Sequence, residues 1–290
     1  MMANHIGFYQ FCSAVRRKGA FALCLALCML GLGLSGRAQD CKPTFITFEA
    51  PGAGTTPFMG QGTIAWGNDA QGEITGWYID ASNVFHGYLR APNGRFTTID
   101  APGAGTAAGQ GTMVSDLNLE GAIIGYFIDA GGVYHGFLRD PDGKFTAFDA
   151  PSAGTGAGQG TNSRSINQEG AITGWYQDAN NVDHGYLRAP DGKFTTFDAP
   201  SAGTGGYYQG TVPIDINQEG AIAGWYWDAS YEYHGFLRAP DGSFTTIDAP
   251  GAGTGGYFQG TAVYTLDANG EMFGVYFDEN YVLHGFVRTP

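Results

Sequence analysis

Basic side chains are scarce in this chain: 14 lysines and arginines stand against 27 aspartates and glutamates in 290 residues. Four of those bases, Arg16, Arg17, Lys18 and Arg37, fall in the first 38 residues, which hold no acid. The remaining 252 residues therefore carry 27 acids and 10 bases, a net charge of −17. That balance excludes a phosphate-tracking nucleic-acid binder, which needs a basic stripe, and disfavours docking on anionic lipid. Cysteine is almost absent. Cys12, Cys24 and Cys28 lie near the N-terminus and leave Cys41 alone, so no internal disulfide can form in the remainder, and the domain must stand on packing. No CxxC or HExxH spacing occurs after residue 38, and no P-loop, dinucleotide fingerprint or nucleophile elbow either. Helical periodicity is missing as well.

What is present begins with an export signal. Arg16, Arg17 and Lys18 precede an apolar run at 20–34, and Gly36-Arg37-Ala38 puts small residues at the −3 and −1 positions of a cut after Ala38. The run is short for a bilayer span, which needs about 20 residues. Residues 1–38 are thus expected to be a secretory signal and residues 39–290 the mature domain, secreted or periplasmic, with no membrane contact once the signal is removed. Glycine is abundant, at 48 residues, and aromatics reach 14%. Disordered chains are poor in aromatics, so this is a turn-rich folded protein.

The mature chain is one unit written five times. His-Gly recurs at His86, His135, His184, His234 and His284, and Gln-Gly at Gln61, Gln110, Gln159, Gln209 and Gln259, both with spacings of 49, 49, 50 and 50. An aspartate stands six residues before each histidine, at Asp80, Asp129, Asp178, Asp228 and Asp278. A second acid follows 14 residues after each of the first four histidines, at Asp100, Asp149, Asp198 and Asp248. All length variation falls between that acid, or Glu49 in the first copy, and the next glutamine, where the gaps run 12, 10, 10, 11 and 11. Constant spacing marks packed elements and variable spacing a surface loop.

Each unit reads as four short strands joined by Asn-x-x-Gly and Pro-Asp-Gly turns, the pattern of propeller blades. The last copy ends after its third strand, while residues 45–50 read as an orphan fourth. The expected fold is an all-β, five-bladed β-propeller of four-stranded blades, its ring closed by the N-terminal strand 45–50.

The repeated residues resemble a known family. In the third copy they run Ile166-Asn167-Gln168-Glu169-Gly170-Ala171-Ile172, Gly174-Trp175-Tyr176, His184-Gly185-Tyr186-Leu187-Arg188, Pro190-Asp191-Gly192 and Phe194-Thr195-Thr196-Phe197-Asp198. This is similar to the HAF-type extracellular repeat of bacterial secreted proteins and extends over residues 45–290. The first copy departs from it at Asn68-Asp69-Ala70-Gln71-Gly72 and the fifth at Val275. The resemblance implies secretion from a bacterial cell and repeated β-structure. It brings no activity, ligand or catalytic residue.

Five histidines in equivalent places argue for structure rather than chemistry. The expectation is an imidazole held by the aspartate six residues earlier, since buried polar groups in β-blades must find partners. Arg90, Arg139, Arg188, Arg238 and Arg288 are expected to pair with blade acids. Function is placed on the face that carries the fourth-to-first and second-to-third connections. There Tyr207, Tyr208, Tyr257, Phe258 and Phe58 suit stacking on sugar rings, with packing against a neighbouring blade as the alternative. The acid-rich stretch 178–183 offers oxygen ligands for calcium but lacks the EF-hand glycine and glutamate; otherwise no cofactor is expected. Asp116 and Asp215 share a register in the first strands of copies two and four, with Arg164 one position earlier in copy three. Two channel carboxylates and an arginine are the parts of a glycosidase's acid and base. The reading that results is a secreted, non-enzymatic, multivalent binding module for carbohydrate or an extracellular protein. A glycoside-active enzyme with one site in the channel and a structural envelope or matrix component are the rivals. Oligomeric state is not legible in the sequence.

Overall fold

The computed structural model describes residues 45–290 apart from Phe58. The expected signal at 1–38 and Cys41 lie outside the described residues. Thr47–Pro290 is one compact unit and carries nineteen strands. Repeat one holds β1 (Gly62–Asn68), β2 (Ile74–Ile79), β3 (Phe85–Arg90) and β4 (Phe96–Ile99). Repeat two holds β5 (Gly111–Leu117), β6 (Ile123–Ile128), β7 (Tyr134–Arg139) and β8 (Phe145–Phe148). Repeat three holds β9 (Gly160–Ile166), β10 (Ile172–Gln177), β11 (Asp183–Arg188) and β12 (Phe194–Phe197). Repeat four holds β13 (Gly210–Ile216), β14 (Ile222–Trp227), β15 (Tyr233–Arg238) and β16 (Phe244–Ile247). Repeat five has three strands, β17 (Gly260–Leu266), β18 (Met272–Phe277) and β19 (Leu283–Arg288). The fold is all-β, made of repeated four-stranded antiparallel blades.

Local chemistry explains the meander. Asn167 Oδ1 accepts the Ala171 N–H at 2.9 Å and Gly170 takes a positive φ of 82°, which reverses the chain between β9 and β10. Asp191 and Gly192 do the same between β11 and β12. Every first strand carries a bulge one residue before the Asp116 register, so that Trp66, Ser115, Arg164, Ile214 and Tyr264 stand out of the ladder. A bulge re-aims a side chain, and here the re-aimed residues of different repeats meet. The Arg164 guanidinium lies 4.8 Å from the Trp66 ring centre and 5.5 Å from that of Trp175, and Tyr264 packs on Trp225 at 5.4 Å.

The core lies between repeats rather than within them. Ile99 and Ala101 pack with Val114, Ile123, Phe127 and Phe137 of the next repeat. Ile124 and Ala150 pack likewise with Ile172 and Tyr186, and Ala223 and Ile247 with Val263 and Met272. Ala50 fills the same position against Tyr78 and Tyr88 of repeat one. A repeat therefore buries its face only against a neighbour.

That arrangement corrects the expected ring closure. Residues 45–50 form no strand ladder, and among the described residues β19 pairs only with β18. Phe48 and Ala50 are held to repeat one, where the Ala50 N–H donates to Thr63 Oγ1 as the Ala101 N–H does to Thr112 Oγ1. The place beside β19 is correspondingly open among the described residues. A Cβ on Gly185 would meet the Phe197 ring of β12 at 2.4 Å, whereas a Cβ on the equivalent Gly285 would meet nothing within 4 Å. Phe273 is 37% exposed, while its counterparts Ile124, Thr173 and Ala223 are wholly buried. The outer flank of the fifth repeat is thus uncovered among the described residues, and residues 45–50 are not seen to close a five-bladed ring.

The arginine expectation is corrected too. Arg90, Arg188 and Arg238 lie over the rings of Phe48, Phe148 and Phe197, at 4.7, 4.8 and 4.7 Å, and pair with no acid among the described residues. Each ring comes from the segment that precedes the arginine's own repeat, so the cation stitches neighbours together through its flat guanidinium face.

Candidate functional site

The fourth-to-first and second-to-third connections share a face because the repeated glutamine ties them. Gln159 Oε1 accepts the Gly156 N–H and its Nε2 donates to Asn181 Oδ1. Gln110, Gln209 and Gln259 reach the opposite loop by donating to the carbonyls of Ala130, Ala229 and Glu279. The following glycine has a steric cause: a Cβ on Gly111 would stand 2.0 Å from the Phe85 carbonyl oxygen, where β5 meets β3.

In repeats four and five that face becomes aromatic. The residue before the glutamine is Gly60, Gly109 and Gly158 in the first three repeats, all with positive φ, but Tyr208 and Phe258 in the last two, with φ of 67° and 65°. The third residue after the repeated aspartate is Asn83, Gly132 and Asn181, then Tyr231 and Tyr281, with φ of 63° and 60°. Glycine and asparagine tolerate the left-handed region. A bulky side chain there costs about 1–2 kcal/mol. Four large aromatics thus occupy strained positions that the sibling repeats fill without strain.

Tyr208, Tyr231 and Phe258 form one patch with Tyr207 and Tyr257. Tyr231 stacks on Tyr257 with ring centres 4.9 Å apart and planes at 17°. Tyr208 contacts Tyr207 and Phe258, each at 6.5 Å, and Tyr257 lies 6.3 Å from Phe258. Underneath, Trp227 and Tyr233 are buried, 4.9 Å apart, and touch Tyr208 and Phe258 respectively. The Phe258 N–H donates to the Tyr231 carbonyl at 2.9 Å, which locks the two loops. Tyr207 and Tyr257 nevertheless remain more than 60% exposed, and Tyr208 and Phe258 are exposed as well. The buried Trp227 indole N–H has no partner among the described residues. The structure so brings together four of the five aromatics singled out by sequence; Phe58 lies outside the described residues. Tyr231 and Tyr281 escaped the sequence reading, although asparagine and glycine at the matching positions of repeats one to three were the available signal.

The histidines are held differently from the expectation. His86, His135, His184 and His234 bond through Nδ1 to the acid 14 residues later, Asp100, Asp149, Asp198 and Asp248, at 2.9–3.0 Å. The earlier aspartates Asp80, Asp129, Asp178 and Asp228 stand 3.5–3.9 Å from Nε2, beyond a good hydrogen bond. Those aspartates close the second-to-third turn instead, as Asp178 Oδ1 does by accepting the Asn180 and Val182 N–H groups. Each ring also stacks on the tyrosine or phenylalanine of the neighbouring strand, His184 on Tyr176 at 5.1 Å. Among the described residues the carboxylate partner of His284 is Asp278, at 3.4 Å from its Nε2. The Asp198 bond raises the His184 pKa, and Asp248 does the same for His234.

The calcium stretch does not assemble. Asp178 is used by its turn, and Asp183 is buried against Gln177 Nε2 at 3.3 Å, where loss of solvent pushes its carboxyl up to about 7. Among the described residues the group of three metal-ligating side chains is Asp228, Glu232 and His234.

The channel acids meet through one serine. Asp215 takes the Ser165 hydroxyl at 2.9 Å and Asp116 lies 3.2 Å from the same oxygen. Asp116 also accepts the N–H groups of Leu117 and Ile166, and Asp215 those of Ile216 and Leu266. Each carboxylate therefore fastens the bulge of its own strand to a strand of another repeat. Loss of solvent raises both, Asp116 to about 7. A single serine hydrogen facing two acids is satisfied when Asp116 holds a proton, donates it to Ser165 Oγ, and Ser165 donates onward to Asp215. Arg164 stands among aromatic rings rather than in an ion pair, and desolvation lowers its pKa.

No family model matches the chain, and no curated protein matches it. Solved structures with a similar course of chain include a mutant Aleuria aurantia lectin in complex with alpha-methyl-L-fucoside, 14% identical over 78% of this chain and 72% of that one, with a TM-score of 0.44. A mutant of AofleA from Arthrobotrys oligospora is 12% identical over 77% and 68%, with a TM-score of 0.47. A fungal lectin described as a six-bladed β-propeller, also from Aleuria aurantia, is 13% identical over 78% and 73%, with a TM-score of 0.42.

Proposed function

We propose that this is an exported, non-catalytic carbohydrate-binding protein whose binding surface is the aromatic patch of repeats four and five. One observation carries the reading: Tyr208, Phe258, Tyr231 and Tyr281 hold left-handed backbone positions on an exposed face where sibling repeats use glycine or asparagine. Strain of that kind persists where an observed outlier serves a site. Rigid aromatic faces offer stacking area to the apolar faces of sugar rings, at the cost of few rotatable bonds. The exposed tyrosines bring polar hydroxyls to the same surface. The export part of the proposal rests on the N-terminal sequence and on the resemblance to secreted repeats.

The test is calorimetric titration of the mature protein with a panel of glycans and wall polysaccharides. The patch is shared between two repeats, so about one equivalent per chain is expected. Tyr207→Ala with Tyr257→Ala is expected to weaken binding by at least about tenfold, since base–aromatic stacking in an analogous setting contributes about 1–3 kcal/mol per ring. Binding that these substitutions leave untouched would remove the patch from the account.

A further inference from the structure

We propose that repeat four carries a binding site for a divalent transition ion, made by Asp228, Glu232 and His234. The three offer ligand atoms within 4.8 Å of one another, Asp228 and Glu232 from the short connection after β14 and His234 from the second position of β15. Two of them are already held. Asp228 Oδ1 accepts the N–H groups of Ser230 and Glu232 at 2.8 and 2.9 Å, which leaves Oδ2 facing His234 Nε2 at 3.9 Å. The His234 ring is stacked on Tyr226, and its Nδ1 bonds to Asp248 at 3.0 Å. That bond fixes the proton on Nδ1 and turns the Nε2 lone pair toward Asp228, the carboxylate–histidine arrangement that orients and strengthens metal-ligating imidazoles.

Glu232 is what sets repeat four apart. The equivalent residues are Val84, Val133, Val182 and Val282, so only this copy adds a third ligand to the repeated Asp–His pair. The pair is also widest here, 3.9 Å against 3.4–3.7 Å in the other four repeats. Among the described residues no lysine or arginine lies within ion-pair distance of Asp228 or Glu232, so the two carboxylates are brought together with no protein cation between them. A nitrogen and two carboxylate oxygens suit Zn²⁺ and its first-row neighbours, with water completing the shell. Calcium, which takes 6–8 oxygen ligands, is disfavoured by the imidazole. The inference uses side chains other than the stacking rings and stands apart from the carbohydrate reading.

The experiment is titration of the untagged mature protein with Zn²⁺ at pH 7.5, with Ca²⁺ and Mg²⁺ in parallel and the His234 ring followed by NMR. The expected result is one equivalent of Zn²⁺, a shift of the His234 ring signals, and no response to Ca²⁺ or Mg²⁺. Glu232→Val restores the residue of the other repeats and should keep the thermal midpoint while lowering Zn²⁺ affinity at least about tenfold; Glu232→Gln tests the charge alone. Absence of Zn²⁺ binding overturns the proposal. So does binding that survives both substitutions, or four or five equivalents per chain, which would mean that the common Asp–His pairs suffice.

Discussion

Each histidine of the first four repeats has a carboxylate at Nδ1, an aromatic ring against its face and an aspartate near Nε2. Such a partner stabilises the imidazolium, so the folded pKa lies above the unfolded one for His184 and His234. The stability gained is complete below the unfolded value and is lost as pH rises through the folded one. Asp198→Asn is therefore expected to lower the His184 titration midpoint seen by NMR. An unmoved midpoint would deny the bond its role. The five Asp–His recurrences are plain in the sequence, and in repeat five the aspartate six residues earlier holds the ring as expected. In the other four it is the more distant of two carboxylates, because the acid 14 residues on becomes adjacent only when the third and fourth strands pair. The strained aromatics were half legible for a similar reason. Tyr207-Tyr208 and Tyr257-Phe258 stand out as doublets, whereas Tyr231 and Tyr281 are single residues whose oddity shows only through φ.

Among elements, the first strands carry the most information that composition could not. Asp116 and Asp215 share a register, and the sequence placed them in one channel. The bulge decides the rest, because it presents Arg164 and Trp66 to each other and leaves the acids to fasten backbone N–H groups. A carboxyl whose folded pKa is raised binds its proton more tightly in the folded state. Its contribution to stability is thus greatest at low pH and declines as pH rises from its ordinary value of 3.8 through about 7. Asp116→Asn should flatten the fall in urea midpoint across that window. It should also cost about 1–3 kcal/mol throughout, because an amide has one oxygen for the two N–H groups of Leu117 and Ile166. An unchanged slope would place the proton elsewhere, with Asp183 the next candidate.

For the whole molecule, the repeat period and strand pattern were sufficient to give the all-β blades and their turns, because fixed spacing and alternating side chains encode both. Closure was not encoded in this way. Residues 45–50 have the composition of a fourth strand, yet Phe48 and Ala50 pack on repeat one, and among the described residues β19 is paired on one side only. Local stability should follow: amide hydrogens of β19 are expected to exchange faster than those of β7 or β11, which are paired on both sides. Equal protection would show that something covers that edge in solution. The aromatic patch, lying between repeats four and five, draws on the same quasi-independent stacking, so its loops can change without disturbing repeats one to three.

The central claim is that the strained aromatics are kept for a ligand. It is tested most directly by Tyr208→Gly with Phe258→Gly, measured for both glycan binding and urea stability in one protein. Glycine is the native choice at these positions in repeats one to three and releases the left-handed strain, offset in part by lost ring contacts with Trp227 and Tyr233. The account predicts glycan binding abolished with stability unchanged or raised by up to about 1 kcal/mol. Binding retained while stability falls by about 2 kcal/mol or more would contradict it and make the rings packing elements.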